Sequence, residues 1–282
     1  MLSRAIIFLI STSVLLSSCE FDTEVDLDLQ DKSLLLIHGF ISPEEDVIQV
    51  EVTKTLSIYD QDIIFDSSSI GEELSIKDAS VTITADDGTE ALLLFNDESF
   101  VYEIDATTFS ILPGKRYNLK VIVDQMEFTA STTISVDNVT EIDAEKIIAQ
   151  DEFGNEIDYL KVNFRDIPAA RNYYVVGANI TYEFGEQEVV FDEDRFIQDR
   201  NLNSDFLTAI SDFSIFEDAT EVDISIYNVE PIVYQLIRSL SLNNSNTGDP
   251  FYQPIIPPNN IEGEGGYGVF GSYRIKTETV QF

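Results

Sequence analysis

Over 282 residues the chain carries 52 Asp and Glu against 16 Lys and Arg, a formal charge of −36, with one His, one Cys and no Trp. Such a surface repels nucleic acid, and the scattered basic residues form no stripe that could follow a phosphate backbone, so no nucleic-acid partner is expected. One cysteine and one histidine exclude a disulfide framework and a multi-histidine or thiolate metal centre, while 19 Phe and 12 Tyr supply apolar bulk for a core, and the length suits two domains of ordinary size.

Arg4 precedes an apolar run over residues 5–16, then small Ser17 and Ser18 lead into Cys19. That is the layout of a secretory signal, and the run is shorter than the roughly 20 apolar residues a spanning helix needs. The order Leu16-Ser17-Ser18-Cys19 resembles the lipobox of bacterial lipoproteins. The resemblance implies that residues 1–18 are a signal peptide that is cut away and that Cys19 is lipidated; an ordinary signal with a free thiol is the alternative. Residues 19–32 follow as an acidic tether, with acids at nearly every second position and no turn residues, read as a solvated spacer. Its charge disfavours adhesion to an anionic bilayer, so the expected membrane contact is the lipid at Cys19. Acids just after a lipidated cysteine, here Glu20, Asp22 and Glu24, resemble Bacteroidetes lipoproteins sent to the outer face of the outer membrane.

Strand signals then follow one another. Residues 33–40 are a continuous apolar run, residues 43–46 a turn, and in residues 47–54 Ile48, Val50 and Val52 alternate with Gln49, Glu51 and Thr53. Val81, Ile83 and Ala85 alternate with threonines and run into Asp86-Asp87-Gly88, whose residues tolerate the positive φ of a tight hairpin. Further strands are predicted over 91–95, 100–104, 117–123 and 127–134, with Pro113-Gly114 as a turn. Residues 57–74 form a long acidic, serine-rich loop of a size that is usually functional or mobile. Short strands with turn chemistry between them predict an immunoglobulin-like β-sandwich over 33–136.

A second β-rich domain is expected over 137–282. Strands are predicted at 160–165 and 173–184 and around Val222, Ile224 and Ile226, whereas 192–213 is read as loop with a short helix. Pro231 opens a helix over 231–243, with Val233, Leu236, Ile237 and Leu240 at the spacing of one apolar face. The remainder is rich in Gly, Pro and Tyr. Its glycines at 263, 265, 266, 268 and 271 alternate with Tyr267, Phe270 and Tyr273, which could be partner or ligand contacts; the plainer reading is a bulged closing strand packed on the core.

Asp249-Pro250-Phe251, Pro254, Asn260-Ile261-Glu262-Gly263 and Gly266-Tyr267-Gly268-Val269-Phe270-Gly271, after a helix with Tyr234 and Leu240, resemble the closing motif of a Bacteroidetes lipoprotein family catalogued as domain of unknown function 4249. Residues 36–41, Ala79-Ser80-Val81-Thr82-Ile83 and Leu112-Pro113-Gly114 fit as well, while Glu264 interrupts the expected glycine run. The resemblance implies an outer-membrane lipoprotein encoded beside TonB-dependent transporters, and it brings no catalytic residues.

Little else carries chemistry. His38 lies in an apolar strand and reads as a packed or rim histidine rather than a base. Ser67-Ser68-Ser69-Ile70-Gly71 lacks the first glycine of a nucleophile elbow, and the acids at 60–66 and 192–194 lack calcium-loop spacing. No catalytic residue, cofactor or metal ligand is assigned. The favoured expectation is a non-enzymatic, lipid-anchored surface protein that binds the barrel or the cargo of a TonB-dependent transporter. A surface adhesin or structural module is the alternative, and a carboxylate-based glycoside hydrolase a third reading.

Overall fold

Alternating side chains settle most of the strands, since residues i and i+2 share a face and only one face of each strand is apolar. A computed structural model describes residues 34–55, 70–150, 154–168, 171–182, 185–199, 205–211, 221–249 and 251–281. Cys19, the signal peptide, the tether and most of the acidic loop at 57–74 lie outside these residues.

The first seven strands are β1 (Leu35–Ile41), β2 (Val47–Lys54), β3 (Ser80–Ala85), β4 (Glu90–Asn96), β5 (Val101–Asp105), β6 (Arg116–Val123) and β7 (Met126–Thr133), with a one-turn helix α1 (Ile70–Leu74) before β3. They pair in the order β1-β2-β5-β4-β3-β6-β7 and curl around one core, in which Ile37, Val50, Ile83, Leu93, Leu119 and Phe128 are buried. The turn at Asp86-Asp87-Gly88 has the expected geometry, with Gly88 at φ +86°.

Seven more strands and one helix follow: β8 (Ile142–Gln150), β9 (Glu156–Arg165), β10 (Tyr173–Tyr182), β11 (Gly185–Glu188), β12 (Phe196–Gln198), β13 (Phe206–Ile210), β14 (Glu221–Val229) and the helix α2 (Pro231–Ser245). A three-stranded sheet, β13-β9-β8, supplies Leu160, Val162 and Phe164 to a second core, against Tyr174 and Val176 of β10 and Ile224 and Ile226 of β14. The opposite face of β10 and β14, with Val175 and Val229, carries α2 through Val233, Tyr234 and Leu236. The architecture is mainly β, two sheets with one long C-terminal helix.

The last strand, β15 (Gly266–Gln281), joins the halves. Its first residues pair parallel with β1, from Leu35 opposite Gly266 to Ile41 opposite Ser272, and the rest pair antiparallel with β14. Core membership passes from the first cluster to the second between Ile134 and Val139, yet β15 gives Phe270 to the first and packs Val280 against the second.

Three expectations change. Strands β8 and β13 went unpredicted because weak or interrupted alternation hid them; Ile148, for instance, faces solvent. The region 192–213 holds a 3₁₀ turn (Asp192–Arg195) and two short strands within its described part. On α2, Leu240 is exposed, and the buried stripe is Val233, Tyr234, Leu236 and Ser239, because Tyr234 rather than Leu240 meets the rings of Tyr173 and Phe196.

Gly268 sits at φ +135°, and a Cβ there would lie 2.0 Å from the Ile37 carbonyl oxygen. No side chain fits this crossing of β1 and β15. Gly268→Ala is expected to cost roughly 3 kcal/mol or more in urea denaturation, against about 1 kcal/mol for Gly88→Ala, which is strained but open.

Candidate functional site

The Gly, Pro and Tyr-rich stretch divides into a displayed loop and a buried strand. Tyr267, Phe270 and Tyr273 fall on the strand. Phe270 is fully buried in the first core, so its ring cannot meet a partner. Tyr267 is half-buried and its hydroxyl donates to the Pro257 carbonyl. The Tyr273 hydroxyl donates to Glu45 Oε1 at 2.7 Å, and burial followed by that carboxylate holds its pKa well above the usual phenol value.

Upstream, three asparagines fix the loop. Asn243 on α2 donates from Nδ2 to the Ile255 carbonyl at 2.8 Å, while its Oδ1 accepts from the Ile255 N–H at 2.9 Å and the Tyr252 hydroxyl at 3.0 Å. Asn260 reads the Phe270 main chain in the same two-way manner, and Asn259 Oδ1 accepts from the N–H groups of Ile261 and Gly268. Each side-chain amide has one donor and one acceptor edge and so can replace a strand partner. Asn243 thus grips the main chain of the loop, and the side chains of Asn259 and Asn260 tie its end to the main chain of β15, while the apolar side chains between them point outward: Phe251 is 94% and Ile256 83% exposed. Between the loop and α2 runs a groove of about 350 Å³, lined by Tyr234, Leu242, Ile255, Ile256 and Pro258 with Arg238 at its side.

A polar junction lies at the middle of β15. Glu230, directly before α2, does not cap the helix with its side chain. Its Oε2 accepts from Thr132 Oγ1 at 2.6 Å and from the Ser272 N–H at 3.1 Å, tying β7 and β15 to the helix start. Arg274 donates from Nε to Glu44 Oε1 at 2.8 Å and from Nη1 to the carbonyls of Ser135 and Val136. A cleft of about 160 Å³ borders Glu230, Tyr273, Arg171 and Asn172.

The family model described as Domain of unknown function (DUF4249) matches residues 20–279. The chain belongs to this family. A comparison with curated proteins returns no match. The matched span starts one residue after Cys19 and takes in the loop, the junction and nearly all of β15.

Acid pairs can be placed in this family member. The cleft beside Glu230 and a third cavity beside Glu262 each present one carboxylate, and the groove on α2 presents none. None of these three cavities holds the two facing carboxylates a glycosidase uses. A close pair, Asp166 and Asp199, is instead 4% and 1% exposed inside the second half. Tyr174 donates its hydroxyl to Asp166 Oδ1 at 2.7 Å. His38 sits at the rim with Nδ1 3.8 Å from Glu51 Oε2 and its ring stacked on Phe40. Glu193 of the 192–194 acids pairs with Arg238, and among the described residues no group of three metal-ligating side chains converges. No helix among them is long and apolar enough to cross a membrane.

Sequence reasoning missed Phe251 and Ile256 as display residues because alternation marks buried faces, not which loop side chains stay outside. A signal did exist: the Asp-Pro-Phe and Pro-Ile-Ile-Pro-Pro runs place apolar residues among prolines, where no core strand or helix can hold them.

Two measurements follow from the geometry. Glu230→Ala leaves the buried Thr132 hydroxyl and the Ser272 N–H without their acceptor, so urea denaturation should show a loss of about 2–3 kcal/mol, with Glu230→Gln losing less. Burial raises the Asp166 pKa above 3.8, the Tyr174 hydrogen bond opposes this, and Asp199 adds to the rise. The folded state thus holds this proton more tightly than the unfolded chain, and stability falls as pH climbs from about 4 through the raised value, then levels. In stability measured between pH 3 and 8, Asp166→Asn should flatten that fall.

Proposed function

We propose that this protein is a non-enzymatic, lipid-anchored protein of the outer-membrane surface that serves a TonB-dependent transporter by binding its barrel or its cargo. The observation that carries this reading is the Leu16-Ser17-Ser18-Cys19 sequence directly before a family span that opens at residue 20. A lipidated cysteine followed by an acidic spacer delivers a folded body to a membrane face and holds it there. An immunoglobulin-like reading of the β1–β7 half suits a binding role, because such strands are rigid scaffolds whose loops and faces carry contacts.

The second support is the kind of surface on offer. Apolar side chains, Phe251 and Ile256, stand exposed on a loop fixed by hydrogen bonds. Rigid display favours association, because little side-chain or loop entropy is lost on contact.

In cells, Cys19→Ser should move the protein from the membrane to the soluble fraction. Crosslinking before solubilisation of outer membranes should recover the wild-type chain with a TonB-dependent barrel. Recovery of the chain alone, across crosslinkers of several lengths, would remove the transporter from this proposal while leaving the anchor.

A further inference from the structure

Residues 231–261 contain one acidic side chain, Asp249, and one basic, Arg238, in a chain with 52 acids. Arg238 is neutralised by Glu193 at 3.2 Å. Residues 106–136 are the other stretch of this length without net negative charge, and of the two it is 231–261 that exposes Phe251 and Ile256. Asn243 holds the loop's main chain at Ile255, Asn259 and Asn260 tie the loop to the main chain of β15, and Pro254, Pro257 and Pro258 restrict it further. These exposed apolar side chains are therefore a built surface rather than a loop that failed to pack.

Its place in the fold identifies what it faces. Parallel pairing puts the start of β1 and the start of β15 at one end of the sheet, with the Leu35 N–H donating to the Gly265 carbonyl at 2.8 Å. Tyr267, opposite Leu36, reaches back to Pro257 at the foot of the loop. The chain from Cys19 thus joins the fold next to this loop. Residues 20–33 span at most roughly 50 Å when fully extended, so lipid at Cys19 would make the start of β1 the point of attachment and hold it within that distance of the bilayer.

We propose that Phe251 and Ile256 form a second membrane contact, seating in the interfacial layer of a lipid bilayer beside the lipid on Cys19. An apolar ring and a branched aliphatic chain suit the boundary between headgroups and acyl chains, and the low charge of residues 231–261 lessens the repulsion that the acidic segments carry. The contact orients the body, so that its acidic faces point away from the membrane. This inference rests on lipidation of Cys19.

The chain has no tryptophan, so a single introduced one reports alone. The full chain carrying Phe251→Trp, expressed with its signal sequence and purified, is mixed with phosphatidylcholine vesicles whose acyl chains are brominated, and flotation and fluorescence are both read. A companion variant, Leu94→Trp, replaces a side chain that is 68% exposed on β4, in register with Glu103 and, through it, with Gln49 beyond the Val50–Gly39 pair. It therefore lies toward the far end of β1. The expected result is flotation of both variants. Emission from the Phe251→Trp protein shifts to the blue and falls about twofold or more, as for a ring roughly 5–10 Å deep, and that from the Leu94→Trp protein is unchanged. Flotation with neither variant quenched, or with both quenched alike, overturns the oriented contact while leaving the anchor intact. Failure to float overturns lipidation and this inference with it.

Discussion

The main-chain hydrogen bonds between β1 and β15 bring the two ends of the described chain into one sheet, and most other features depend on that contact. A parallel pair cannot be closed by a tight turn, and here the whole intervening chain serves as the crossover. The contact is as non-local as the fold allows, and such contacts form slowly because a long loop must close before any hydrogen bond is gained. Once formed, it sets β15 between two cores, so that Phe270 anchors one half, Val280 packs in the other, and Gly271 lets Val233 of α2 approach closely.

The same crossing explains the polar junction. Where β15 leaves β1 and takes up β14, the strand partner changes and backbone groups of neighbouring segments need acceptors and donors from elsewhere. Glu230 and Arg274 supply them, bonding to β7, β15 and residues 135–136. The half-buried Arg274–Glu44 pair is shielded from salt more than a surface pair and also satisfies main-chain carbonyls, which gives it structural weight that the exposed pairs lack. Tyr273 is drawn into this network, which is why a residue with a contact-like sequence setting has a structural role.

Charge is distributed with equal economy. Many outward positions of the strands carry acids, whereas residues 231–261 carry only Asp249 and expose Phe251 and Ile256. That asymmetry distinguishes parts of the body, and the loop it marks runs into the start of β15, where β1 also begins.

The sequence by itself determined the strands β1 to β7 almost residue by residue, the position of α2, the hairpin at Asp86-Asp87-Gly88 and the closing strand, because alternation, proline and Asp-Gly chemistry act within a few residues. It also carried Cys19 and the family resemblance, since a lipobox and a closing motif are read as linear strings. Tertiary structure alone decided the rest. Which helix face is buried depended on Tyr173 and Phe196 arriving from β10 and β12; whether Phe270 meets a partner or a core depended on β1 lying beside it; and Phe251 and Ile256 became display residues because Asn243 of α2 took hold of the loop's main chain while Asn259 and Asn260 fastened its end to β15. Local periodicity specifies a strand's two faces, but only the pairing of segments far apart in the chain specifies what each face meets.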